Sequence, residues 1–386
     1  MIYFDNSATT EICSAAREKM IEAIAKYGNP SSRHAKGLEA RAMIDKAREQ
    51  VGQALGVSRP APENLIFTSC GSEANNLAIL GGVYSKDRKR AKKIITTDSE
   101  HPSVSRVMQR LESDGFEIIR ISTRGGVIDR EALGKALDDR VALVSMMLVN
   151  NETGAVYDIK DIFAEVKRKA PDAITHCDAV QGFLKLRFTP KTLNADMVSV
   201  SAHKIHGPKG VGALYVSPEI IKQKKLVPHL LGGGQEGGFR SGTENTVCIA
   251  GFGAAAEQGR LMMATNIEKM IALRDLCQIG AIEAGAKANI PEGERAPHIL
   301  SITLPGIKSE TMLNFLSSKG FCVSAGSACS SHSRNISSAL VGFGLSESEA
   351  DTTIRISFCE NNTEDEAAAF CAALKEGIER LVRIRR

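Results

Sequence analysis

The sequence predicts an α/β protein: a large domain with a mainly parallel sheet flanked by helices, plus a smaller α+β domain. Three observations carry this expectation. As far as Gly251, short β-rich runs alternate with longer amphipathic stretches, the pattern of strand–helix–strand units. Several of the short runs are almost continuously apolar, as in a sheet covered on both faces. Beyond Gly251 the alternation stops, and one long helical run precedes a few separate strands and helices.

The strands of the large domain are read at 64–69 (NLIFTS), 93–97 (KIITT), 116–121 (FEIIRI), 141–148 (VALVSMML), 173–178 (AITHCD), 196–202 (DMVSVSA) and 212–216 (GALYV). Between them EANNLAILGGVYSK and SVSRVMQRLESDG have helical spacing, the second closed by a glycine that lets the chain leave the helix. GGGQEGGFRSGTEN, 232–245, is too glycine-rich for regular structure and is expected as a loop of close backbone approaches, with an oligomer interface as one use. A helical run over 254–287 leads to strand HILSITLP, helix SETMLNFLSSKG, the segment CVSAG, strand TTIRISF and an acidic-started terminal helix. The expected division is 15–255 for the large domain and 1–14 with 256–386 for the small one.

Composition narrows the function classes. With 386 residues, 43% of them apolar and 24% charged, the chain can bury a large core and is not disordered. Its 49 basic and 45 acidic residues leave a net charge of only +4, and no basic block is interleaved with aromatics, so nucleic acid is not expected as a partner. The densest basic run, KDRKRAKK from Lys86 to Lys93, reads as a solvated helix end or loop. No apolar run approaches the roughly 18 residues that span a bilayer, and MIYFDNSATTE lacks a signal layout. Nine cysteines without a C-x-x-C pair fit a reduced, cytoplasmic setting and no metal framework.

Chemistry concentrates where strands end. DMVSVSAHKIHGPKG runs a strand into Lys204, and a lysine at that edge serves either as a surface charge or as a Schiff-base former with an aldehyde cofactor. Asp178 ends another strand and could face the ring nitrogen of pyridoxal phosphate, which needs an acid there. In FTSCGSEANN, Gly71 and Ser72 open a helix after a strand, offering amides, a hydroxyl and a positive dipole end to a phosphate. His101 follows KIITT and could stack on the ring and move protons, or simply cap a helix. Asn151 in NNETG and Gln181 in DAVQG can donate amide hydrogen bonds at the same edge. His203 is expected to point away from Lys204, because strand neighbours alternate. Arg355 in TTIRISF needs a partner, either an internal carboxylate or that of a substrate. Together, in this order, these features favour a pyridoxal-phosphate enzyme.

One cysteine stands apart. Cys329 in VSAGSACSSHS is surrounded by Ser, Ala and Gly rather than by apolar residues, so it reads as a thiol on a mobile surface loop over 324–334.

With these segments in view, the chain resembles the class I cysteine desulfurases, the NifS/IscS-like group. The likeness runs nearly end to end through YFDNSATT, GNPSSRH, FTSCGSEANN, SEHPSV, VNNETG, HCDAVQ, SAHKIHGPKG, GGGQEGGFRSGTEN, VSAGSACSS and IRIS. The resemblance implies the fold-type I architecture of pyridoxal 5'-phosphate enzymes and the conversion of L-cysteine to L-alanine. Sulfur would pass to an enzyme cysteine as a persulfide, then to acceptors in iron–sulfur cluster, thio-cofactor or tRNA biosynthesis. It implies Lys204 as the Schiff-base lysine, Asp178 as the ring-nitrogen partner and His101 as the stacking acid/base. Gln181 and Asn151 would contact the ring-hydroxyl side. Gly71, Ser72, Ser201 and His203 would hold the phosphate, joined by Thr243 from the other subunit of a homodimer. Arg355, with Asn151, would grip the substrate carboxylate, and Cys329 would be the nucleophile. A sulfur-acceptor protein is the implied partner. The chain departs from the family pattern at Cys70-Gly71-Ser72 (usually Gly-Ala-Thr), at Gly237 (usually basic) and at Cys359 (usually glycine). An aminotransferase on the same fold would have no need of the loop thiol, and an iron–sulfur carrier would need close cysteine pairs.

Overall fold

The computed structural model describes residues 1–85, 91–325 and 336–384. The chain starts with β1 (Ile2–Tyr3), α1 (Ser14–Ala25) and α2 (Ala35–Ala54). The main sheet follows as β2 (Leu65–Thr68), β3 (Lys93–Thr97), β4 (Glu117–Ile121), β5 (Val141–Met147), β6 (Ile174–Asp178), β7 (Met197–Ser201) and β8 (Gly212–Val216). Their order across the sheet is β2-β8-β7-β6-β5-β3-β4. All pairings are parallel except those of β8, which runs antiparallel to β2 and to β7. The seven strand runs read from the sequence are these seven strands, with every end within one residue of the reading.

The strands form here because both faces are covered. Every residue of β5, β6 and β7 is buried. Helices α3 (Gly71–Tyr84), α4 (Pro102–Ser113), α5 (Arg130–Ala136) and α6 (Ile159–Lys169) connect the strands. α4 buries Val104, Val107, Met108 and Leu111, and α6 buries Ile159, Ile162, Phe163 and Val166. That i, i+3, i+4, i+7 spacing is one helical stripe. Each such side chain contributes about 1.5–3 kcal/mol when fully buried.

After the short α7 (Pro218–Lys222), α8 (Thr246–Glu283) runs for 38 residues. It starts eight residues earlier than the sequence spacing suggests, because Asn245 accepts from the Cys248 amide and caps it there. Its first half packs Ile249, Phe252 and Ala256 on the core of the main sheet, and its second half packs Met270, Leu273 and Cys277 on another core. That other core belongs to a sheet of β9 (Lys287–Ala288), β10 (Ile299–Thr303), β12 (Ser324–Ala325) and β13 (Thr353–Ser357). Around it lie α9 (Ser309–Ser318), β11 (Phe321–Cys322), α10 (Ser338–Phe343), α11 (Glu347–Asp351) and α12 (Glu364–Ile384). Phe4 sits in this second core with its ring 5.2 Å from Phe358 and 5.7 Å from Phe370.

The N-terminal segment joins the two cores. β1 pairs with β11, Asp5 bridges to Ser357, and the Thr10 amide donates to the His203 carbonyl just past β7. The glycine-rich segment contains one short 3₁₀ turn at Glu236–Gly238. Glu236 anchors it, accepting from Arg48 at 2.7 and 2.8 Å and from the Phe67 amide at 2.7 Å. The basic run is not wholly solvated: Lys93 is buried as the first residue of β3, with its ammonium 2.6 Å from Asp138 Oδ2, while 86–90 lie outside the described residues.

Candidate active site

The expected site residues collect at one edge, beyond the carboxyl ends of the parallel strands. Gly71 follows β2, His101 follows β3, Asn151 follows β5, Asp178 and Gln181 close β6, and Ser201 and Lys204 close β7. This is where open α/β sheets present their ligand crevice.

Asp178 is held from two sides. Its Oδ1 accepts from the Val180 amide at 3.0 Å, and its Oδ2 accepts from Asn75 Nδ2 at 2.7 Å. The same Asn75 amide group donates to Ser103 Oγ at 2.8 Å, and Ser103 Oγ lies 2.8 Å from His101 Nδ1. One asparagine therefore ties the carboxylate to the imidazole. Asn75 stands one turn past Gly71 on α3, so a helical count from the cradle glycine would have found it.

His101 caps α4, and it interacts electrostatically with Asp178 and Lys204. The Ser103 amide donates to Nδ1 at 3.1 Å, so the neutral ring carries its proton on Nε2. Burial, with Lys204 adding, holds the imidazole below its ordinary value against the pull of Asp178.

Lys204 lies in the 3₁₀ turn after β7 and donates from Nζ to the carbonyls of Ser7 at 2.5 Å and Ala8 at 2.8 Å. Gln181 Nε2 donates to the same Ser7 carbonyl at 2.9 Å, and its Oε1 lies 3.3 Å from Nε2 of the buried His298. His203 lies in the same 3₁₀ turn rather than in a strand, so alternation does not apply to it: its Nδ1 is 3.3 Å from Thr9 Oγ1, next to the carbonyls that Lys204 meets, and burial first, then Lys204, depress it to about 4. Ser7, Ala8 and Thr9 lie in YFDNSATT, a segment of the family likeness with no site role read for them, and His298 carries no sequence signal for this place.

A cradle lies between β2 and β7. Cys70 supplies no side-chain cap to α3, so the helix's first amides are left for another acceptor. A Cβ on Gly71 would come within 2.8 Å of Val180 and 3.3 Å of Ser201 Cβ. Beside it Ser201 Oγ is buried with no hydrogen-bond partner. Ser72, in the first turn, is exposed. An uncapped helix start, a missing side chain and an orphaned hydroxyl form a place for an anion. The residues present thus fit a phosphorylated cofactor: the anion at this cradle, an aldehyde at Lys204, a basic ring nitrogen at Asp178. Thr243 is exposed on its own chain, lining a cavity with Thr68, Ser69 and Gly210 next to the cradle.

Arg355 has the internal partner. Its Nη2 donates to Asp5 Oδ1 and its Nη1 to the Asn151 carbonyl, both at 2.8 Å, while its buried Nε–H has no acceptor. Asn151 thus meets Arg355 through its backbone rather than its side chain. Across the sheet Arg355 is in register with Ser324, and β12 ends at Ala325. Cys329 lies outside the described residues, four positions further on. Behind Asp178, burial pushes Glu100 up to about 8, with Asp178 and Asp98 adding, so Glu100 is largely neutral near pH 7.

Comparison with known proteins places this arrangement. The chain matches the aminotransferase class-V family over residues 2–370. It is 38% identical to a cysteine desulfurase of Trichormus azollae, across 99% of this chain and 94% of the relative. Against a cysteine desulfurase IscS of Vibrio vulnificus the identity is 37%, covering 98% and 93%. A solved NifS-like protein superposes with a TM-score of 0.91 at 36% identity, over 98% of this chain and all of that one. SspA in complex with cysteine does so with 0.79 at 32%, over 94% and 100%.

Proposed function

Since the chain belongs to the aminotransferase class-V family, we propose that it is a cysteine desulfurase: a pyridoxal 5'-phosphate enzyme that takes sulfur from L-cysteine and leaves L-alanine. The observation that carries this is the convergence of Lys204, Asp178, His101 and the Gly71–Ser201 cradle at one sheet edge, in a chain whose relatives bear that name. When bound at Lys204, the cofactor supplies an electron sink for the substrate's α-carbon.

The protein's own groups do the rest. Arg355 takes the substrate carboxylate through N–H groups not spent on Asp5 and the Asn151 carbonyl. Lys204 Nζ, freed when substrate replaces it, takes and returns the α-proton. Asp178, kept in place by Asn75, holds the ring-nitrogen proton. His101 presents a neutral imidazole with its proton on Nε2, which suits stacking and hydrogen-bond donation to an incoming thiolate better than proton removal. Cys329, as thiolate, attacks the substrate sulfur: a new S–S bond forms, the substrate C–S bond breaks with its electron pair left on the β-carbon side, and a proton matching the one Cys329 gave up completes the alanine methyl group. The sum is L-cysteine plus enzyme thiol giving L-alanine plus enzyme persulfide.

Further along this reading, Thr243 reaches the partner's phosphate cradle in a homodimer, with Ser72 and His203 completing the ring of donors. The large domain, 15–255, holds the cofactor, and residues 1–14 with 256–386 carry Arg355 and Cys329. The persulfide passes to an acceptor protein in the cell interior. Among the described residues no helix is long and apolar enough to cross a membrane.

The test is a visible spectrum with a sulfide and alanine assay on L-cysteine. Wild type should be yellow and active. Cys329→Ala should stay yellow and lose sulfide release. A colourless protein that cannot be reconstituted, or a Cys329→Ala variant with wild-type turnover, would overturn the reading.

A further inference from the structure

Two buried polar atoms away from the cradle face each other without a hydrogen-bond partner: His206 Nε2 and Glu360 Oε2. They are 3.3 Å apart and form an ion pair when His206 is protonated. Cys359 Sγ completes the group, and all three donor atoms lie within 4.8 Å of one another. His206 is 6% exposed and Cys359 5%.

The histidine is oriented for this. Its Nδ1 lies 2.9 Å from the Glu11 carbonyl, to which it can only donate. Nε2 is therefore the nitrogen turned toward Cys359 and Glu360, and it offers a lone pair there once its proton is lost. Metal-binding histidines are commonly fixed in this way, through a carbonyl on the other ring nitrogen. His206 also holds a left-handed backbone (φ 65°), clamped by its amide donating to Thr10 Oγ1 at 2.7 Å and its carbonyl accepting from the Cys13 amide at 2.9 Å. For a residue with a Cβ that conformation is uncommon.

We propose that His206 Nε2, Cys359 Sγ and Glu360 Oε2 form a binding site for a divalent transition metal of the zinc class, with water as fourth ligand. Imidazole, thiolate and carboxylate are zinc's usual donors, and bonds of about 2.0–2.3 Å in a tetrahedron set them roughly 3.3–3.7 Å apart. The site needs to contract by only about an ångström to reach that. Thiolate and carboxylate cancel the charge of a divalent ion. Two cations compete with it. Lys185 Nζ is 4.0 Å from Glu360 Oε2, and contacts with Cys359 and Glu360 outweigh burial to raise His206 to about 9, so the metal must displace a proton.

The site would be a staple. His206 follows Lys204 by two residues, and Glu360 follows Arg355 by five. An ion here would tie the turn that carries Lys204 to the strand that carries Arg355, without touching either side chain.

Equilibrium dialysis of the yellow holoenzyme against zinc chloride alone, with no free cysteine, tests this. One zinc per chain is expected in wild type and in Cys329→Ala. The affinity should fall at least tenfold in Cys359→Ala and in His206→Asn, both checked as folded by their cofactor spectrum. Cobalt(II) should give a thiolate charge-transfer band in wild type that Cys359→Ala lacks. Zinc retained in Cys359→Ala, zinc lost in Cys329→Ala alone, or no stoichiometric zinc in wild type would each overturn the proposal.

Discussion

Asp5 Oδ1 sits 2.8 Å from Arg355 Nη2, joining residues 350 positions apart in the chain. The guanidinium that should receive a substrate carboxylate thus already has a carboxylate against it. Asp5→Asn keeps an acceptor oxygen there and removes the like charge that opposes substrate. KM for L-cysteine should fall several-fold with kcat little changed. Arg355→Lys, which loses the planar fork, should raise KM at least about tenfold. Steady-state kinetics on both variants checks this, and an unchanged KM in Arg355→Lys would remove Arg355 from the substrate.

Asn75 is the joint between Asp178 and, through Ser103, His101. A hydrogen bond to a charged group contributes about 1.5–3 kcal/mol, so Asn75→Ala should weaken cofactor binding about 10- to 100-fold. Reconstitution titrations followed by absorbance read this directly. Titration curves that superpose on wild type would mean that Asp178 needs no such support.

Ser201 should behave oppositely with and without cofactor. Its Oγ is buried and unpartnered, which is unfavourable by about 1–3 kcal/mol in the empty protein. Ser201→Ala should therefore leave the apoprotein as stable or more stable in a thermal melt. Its cofactor affinity should drop about tenfold, the loss of one hydrogen bond to a charged group.

Glu100 gives a pH dependence with a definite sign. Its carboxyl is raised from an ordinary 4.5 to about 8 by burial. Between those values the unfolded chain releases this proton while the folded chain keeps it, so stability falls as pH rises through that window and levels off above it. Glu100→Gln removes the effect. It should melt higher than wild type at pH 7.5, by an amount on the order of a few kcal/mol, and the gap should close at pH 4.5. A gap independent of pH would show that Glu100 is ionised in the fold.

Much of this site could be read from the sequence because strand ends are legible. Near-continuous apolar runs locate the sheet; Asp178 ends such a run, and Lys204, His101, Gln181 and Gly71 each follow one by at most four residues. What could not be read are partners brought from elsewhere. Asp5, Ser7 and Ala8 come from an N-terminal stretch with no periodicity, and His298 from the approach to a strand of the second core. Arg355 has two possible partners at the level of sequence, because one sequence cannot say which distant carboxylate will reach it. Asn75 is different: the helical repeat from Gly71 points to it.

The N-terminal segment sets an order of events in synthesis. Ser7, whose carbonyl accepts from both Lys204 and Gln181, has its own amide fixed by Ser357 Oγ, 350 residues later. A ribosome adding roughly 5–20 residues per second needs roughly 20–70 s to make that stretch. Until then the floor beneath Lys204 cannot be locked, however early the main sheet has formed. The lysine edge of a half-made chain is open, and the last strand to emerge completes it.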